Sequence, residues 1–170
     1  MPQRYIDTTL FDLFKVGPGP SSSHTIGPMK AGHHFAETCA ALPRDLLVRA
    51  VRFRVRLYGS LSATGTGHGT DAAVVAGLLG TAPESCPAGL LQELMDDPHT
   101  RRKRSLGDGQ VSVCVDDVSH DAIIHDFPYS NTLVADLLDA EDKVLHSQEY
   151  YSVGGGFIQW KGWEPPSLGE

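Results

Sequence analysis

An α+β fold is predicted, built on a single mixed, mostly antiparallel sheet of four to five strands with helices packed on one face. Three observations point to it. Residues 49–59 alternate, with Val51, Phe53, Val55 and Leu57 set against Arg52, Arg54, Arg56 and Tyr58, which is the pattern of a half-buried strand. A strand with one charged face belongs in an antiparallel or mixed sheet rather than a buried parallel one. Helical segments at 29–42, 72–79 and 88–95 are interleaved with short strand-like runs at 110–115 and 122–125.

Taken in order, Leu10, Leu13 and Phe14 share one face of a short helix that Asp7, Thr8 or Thr9 would cap. Glycines and prolines then bracket Ser21-Ser22-Ser23-His24-Thr25, which excludes an ordinary helix or central strand there. From Met29 the pattern is helical, with Ala31, Phe35, Thr38, Cys39 and Leu42 as its buried stripe, and it stops before Pro43. His33 and His34 read as surface residues. A loop of hydroxyls feeding a helix start suits an anion such as a carboxylate or phosphate, and equally serves as a capping loop. A second glycine-rich stretch, Gly59 to Asp71, joins the alternating strand to the apolar helix at 72–79 and carries His68. It lacks the Lys-Ser/Thr pair of a P-loop and the glycine spacing of a dinucleotide fingerprint. Residues 96–106 read as a polar, basic loop. Residues 132–146 suit a helix in part and a strand in part, with Ala140-Glu141-Asp142 as an alternative hairpin turn. Tyrosines followed by Gly154-Gly155-Gly156 suggest a strand broken by a bulge or sharp bend.

The totals bound the function. The 170 residues fit one domain, and 41% hydrophobic content is ordinary for a globular chain. A net charge of −7 argues against nucleic acid, and Arg101-Arg102-Lys103-Arg104 reads as a solvated charge run. Cys39, Cys86 and Cys114 are odd in number and widely spaced, which fits a reducing, cytoplasmic setting without a disulfide framework. No apolar run is long enough to span a membrane, and the N-terminus lacks the apolar core of a signal peptide.

Leu10 to Gly17, Gly19-Pro20-Ser21-Ser22-Ser23-His24-Thr25, Gly27-Pro28-Met29-Lys30-Ala31, Tyr58-Gly59-Ser60-Leu61, Thr64-Gly65, Gly67-His68, Thr70-Asp71 and Tyr150 to Phe157 resemble the N-terminal β domain of bacterial iron–sulfur-dependent L-serine dehydratase. The resemblance runs in order from about residue 9 to 158. It implies a β domain over residues 1–160, with 161–170 as a tail or linker to a missing α-helical catalytic domain. By the same resemblance residues 132–153 form a β-hairpin. The implied reaction turns L-serine into pyruvate and ammonia, an amino-acid degradation that feeds gluconeogenesis. The full enzyme would be a cytoplasmic homo-oligomer. A 4Fe-4S cluster held by the missing domain helps the hydroxyl leave, so this chain alone is expected to bind no iron and to be inactive.

Mapped onto this sequence, Ser21, Ser22, Ser23 and Thr25 would grip the substrate carboxylate. His68 would be the Cα base, and His24 a positioning or proton-shuttling group. Asp71 would orient His68 or cap its helix. Tyr151, Ser152 and Gly154 to Gly156 would shape the contact with the missing domain. Gly69 stands where some relatives have a second histidine, and Asn131 is given no role. No residue is assigned to a metal. The rival readings are a non-catalytic module that binds small anions or amino acids for regulation, and a Ser-His-Asp hydrolase from Ser23, His24 and Asp71. The second lacks a nucleophile elbow.

Overall fold

In the computed structural model, residues 22–63 and 69–165 are described, Ser22 by its backbone alone. The helix expected at 10–14 and the tail from 166 onward lie outside these residues. A π-helical turn, Ser22–Ile26, winds directly into α1 (Gly27–Ala40). There follow the short α2 (Arg44–Leu47), β1 (Ala50–Gly59), α3 (Thr70–Leu78) and α4 (Leu90–Asp96). The remaining strands are β2 (Arg102–Leu106), β3 (Gly109–Val113), β4 (Val118–His120), β5 (Asn131–Asp139), β6 (Val144–Gly154) and β7 (Phe157–Trp160).

The sheet is mixed and mostly antiparallel. Among the described residues its seven strands exceed the four to five expected, and they run β2-β3-β1-β5-β6-β7, with β4 also on β1. Only β3 and β4 pair with β1 in parallel. They are one interrupted edge: β3 meets β1 at Arg52, β4 meets it at Val55 to Leu57, and a single 3-10 turn at Val115–Asp117 separates them. The second strand of this region is therefore Val118–His120 and not 122–125. The run at 122–125 lies in an irregular strap, with Ile124 92% exposed.

Residues 102–106 form a strand, not the loop expected from their charge. Their arginines find partners: Arg102 pairs with Glu93, while Arg104 reaches Glu37 and the Leu78 carbonyl. The arginines of β1 are paired as well. Arg54 and Arg56 both meet the Asp136 carboxylate, which is 1% exposed and also accepts from Ser147. Asp117 takes a two-pronged contact from Arg101, at 3.0 Å on each oxygen, and a further one from Arg52. Ion pairs held by two or three donors satisfy a buried carboxylate that would otherwise be costly.

On the other face the helices form the core. Phe35 of α1 packs against Phe53 of β1 and Tyr150 of β6, with ring centroids 5.9 and 6.4 Å apart. His34 is not a plain surface residue: its Nδ1 lies 2.6 Å from the Tyr150 hydroxyl and its ring stacks on Trp160 at 4.3 Å. Burial lowers its pKa, and neighbouring His33 adds to that. Every residue of α3 from Ala72 to Leu78 is buried, as befits a helix apolar all round. The hairpin implied for 132–153 is β5–β6, where the Asp139 carboxylate accepts the amides of Glu141 and Lys143 and Asp142 turns the chain with φ 62°. Gly154, Gly155 and Gly156 all have positive φ, so three residues without a Cβ carry the bulge and the turn into β7.

Helices α1 and α3 touch backbone to backbone. A Cβ on Gly77 would stand 2.1 Å from the Met29 carbonyl oxygen, and one on Gly32 would stand 2.4 Å from that of Val74. Alanine ordinarily stabilises a helix interior over glycine by about 1 kcal/mol. Here the sign should reverse: Gly77→Ala should lose about 1–3 kcal/mol in urea unfolding with an unchanged m-value. A gain in stability would contradict this close approach.

Candidate active site

The site begins with what Pro28 lacks. A residue at 28 would normally donate its N–H to the carbonyl four or five positions back, which are those of His24 and Ser23. Proline has none to give. Two hydroxyls from distant elements donate instead. Thr70, at the start of α3, donates to the His24 carbonyl, and Ser152 of β6 donates to the Ser23 carbonyl at 2.7 Å. The π turn is thus tied to α3 and to β6 by its own backbone. Gly156 presses on the same turn, where a Cβ would stand 2.9 Å from Ile26. The loop expected before Met29 is therefore wound from Ser22 onward. Pro28 sits in the first turn of α1, where its fixed φ is tolerated.

Within this turn the His24 imidazole spans two hydroxyls. Its Nδ1 lies 2.9 Å from the Ser23 hydroxyl and its Nε2 lies 3.0 Å from that of Ser60. A hydroxyl donates or accepts, so either neutral tautomer fits and a proton can enter at one nitrogen and leave at the other. Ser60 follows Gly59, whose φ is 61° and where a Cβ would stand 2.0 Å from the Ser130 carbonyl oxygen, so no side chain fits. The first and second glycine-rich stretches therefore meet at His24. Ser23 and His24 are half-buried, while Thr25 is wholly buried. Ser21 and His68 lie outside the described residues, and of Ser22 only the backbone is described.

Asp71 does not cap α3; the residue at the cap position is Gly69, in the left-handed conformation. The Asp71 carboxylate instead faces His120, with both oxygens 3.0 Å from Nε2. His120 Nδ1 lies 3.0 Å from the Ser62 carbonyl. Burial would lower the His120 pKa, but the hydrogen bonds to Asp71 and Ser62 and the charges of Asp71 and Asp121 together raise it. Sequence reasoning missed this residue because it ends a three-residue strand that was not recognised. Asp71 also borders a cavity of about 330 Å³, shared with Asp116, Met95, Val115 and Val118. Tyr151 is buried beside the turn; its hydroxyl donates to Glu149, and its ring lies 4.9 Å from that of Tyr129.

Among the described residues no group of three or more histidine, cysteine or acidic side chains converges as a metal site. Cys39 lies on α1, with burial pushing its thiol up to about 12. Cys86 follows a 3-10 turn and Cys114 ends the run of β3, and burial raises both. Among the described residues these three thiols do not converge with one another, as the ligands of an iron–sulfur cluster must. No helix among the described residues is long and apolar enough to cross a membrane.

A family model described as serine dehydratase beta chain matches residues 9–163. The chain is 41% identical over 156 residues to L-serine dehydratase 2 of Escherichia coli, covering 88% of this chain and 33% of that protein. It is 40% identical over 155 residues to L-serine dehydratase of Streptomyces coelicolor, with the same coverage of each. A Mycobacterium bovis L-serine dehydratase is 37% identical over 154 residues. The chain spans about a third of the length of these relatives.

The hold on the turn is testable. Thr70→Val keeps the shape but leaves the His24 carbonyl without the Thr70 hydroxyl. It should cost about 1–3 kcal/mol in urea unfolding. No loss would mean that the hydroxyl does not support the turn.

Proposed function

The chain belongs to the serine dehydratase beta chain family, and from that premise we propose that it supplies the substrate-gripping and proton-handling part of an L-serine ammonia-lyase. The observation that carries this reading is His24, held between Ser23 and Ser60 on a turn tied to α3 and β6. The reaction eliminates water from L-serine to give aminoacrylate, which takes water back and breaks down to pyruvate and ammonia. Two demands fall on side chains of this kind. The carboxylate must be fixed, and the Cα proton must be taken by a base whose pKa lies near the working pH.

Ser21, Ser22, Ser23 and Thr25 bind the carboxylate, Thr25 from a wholly buried position on the turn. His68 removes the Cα proton. His24 orients the substrate and passes protons between hydroxyls, since its two nitrogens already face one on each side. Asp71, one residue beyond Thr70, belongs to the wall of the same site. The leaving hydroxyl needs an acid that these residues do not provide. That part falls to a 4Fe-4S cluster in the helical portion of the enzyme, outside this chain, and this chain alone is inactive. The assembled enzyme is a cytoplasmic homo-oligomer.

In the assembled enzyme, His68→Ala and His24→Ala should each lower kcat by roughly 10²-fold or more. An unchanged kcat in both variants, with an altered response to a small-molecule effector, would favour the regulatory module instead.

A further inference from the structure

His120 touches both flanks of the segment that carries His68. Its Nδ1 lies 3.0 Å from the carbonyl of Ser62, before the segment, and its Nε2 lies 3.0 Å from the carboxylate of Asp71, after it. The same junction is tied a second time, because the Ser62 hydroxyl donates to the Asp121 carbonyl at 2.7 Å. The platform beneath is rigid. His120 is in register with Leu57 of β1, and the Asp121 amide donates to the Leu57 carbonyl at 2.8 Å. The imidazole is 26% exposed and the Asp71 side chain 18% exposed, so water competes only in part for these bonds.

We propose that His120 is a positioning residue: as an imidazolium it clamps Ser62 to Asp71 and so sets the span that the His68 segment must bridge. The protonation state follows from the partners. A carbonyl and a carboxylate only accept, so both ring nitrogens must donate, and a neutral imidazole carries a single N–H. Among the described residues, the charged groups that act on the ring are Asp71 from α3 and Asp121 after β4, and both favour the cation. The sign for pH follows. A raised pKa means that the clamp is fully formed below the ordinary histidine value of 6.5 and is released as pH rises through the higher value of the folded chain. The catalytic consequence rests on the assignment of His68 as base; the clamp itself does not.

Amide hydrogen exchange of the 170-residue chain tests the clamp without turnover. After correction for intrinsic exchange, protection at Ala63 and Gly69 should fall roughly 3- to 10-fold as His120 loses its proton, the worth of about one hydrogen bond. In His120→Gln it should be low and independent of pH. In Asp71→Asn, the His120 ring resonances should titrate at lower pH than in the wild type. Urea unfolding identifies a variant that has lost its fold, and the wild-type profile then decides alone. Protection that ignores the His120 titration, or equals that of His120→Gln, overturns the clamp. In the assembled enzyme His120→Gln should lower kcat with KM little changed and remove one alkaline limb from the pH profile. Loosened flanks with an unaltered kcat would overturn the positioning role, whereas the His68→Ala variant decides the assignment on which it rests.

Discussion

In a turn where Pro28 has no N–H to offer, the carbonyls of His24 and Ser23 accept from hydroxyls elsewhere in the chain. Thr70 and Ser152 provide them, and in doing so join the start of α3 and the end of β6 to one turn. The His24 side chain adds a third tie, to Ser60 at the end of β1. Segments about 40 to 130 residues apart in sequence therefore converge on five residues, Ser22–Ile26. Side chains fixed by three independent anchors lose little further freedom on binding, which is the condition for a preorganised site.

The layers of the fold support that convergence. α1 and α3 approach closely through Gly32 and Gly77, which brings the turn before α1 against the start of α3. The opposite face of the sheet is polar, with Asp136 and Asp117 each gathering two arginines. Its charges are largely spent on one another.

Much of this was legible in the sequence, for physical reasons. The alternation in β1 and the apolar run of α3 are periodic signals that burial enforces. The glycine stretches marked breaks and bends, and the structure has positive φ at Gly59, Gly69 and all of Gly154 to Gly156. The failures have reasons too. β2 is rich in arginine; its ladder with β3 makes it a strand, and its arginines find Glu93 and Glu37 on other elements. β4 resumes after one 3-10 turn, too short a break to detect, so His120 stayed hidden with it. The winding of Ser22–Ile26 depends on hydroxyls from residues 70 and 152, which composition around the serines cannot reveal.

The most direct test is a crystal structure of the assembled enzyme with an unreactive serine analogue bound. Its carboxylate should lie within about 3 Å of donors on the 22–26 turn, with its Cα within reach of the His68 imidazole. An analogue bound wholly by the remainder of the enzyme, with Ser23 and His24 beyond the reach of even a bridging water, would contradict the central role of this turn.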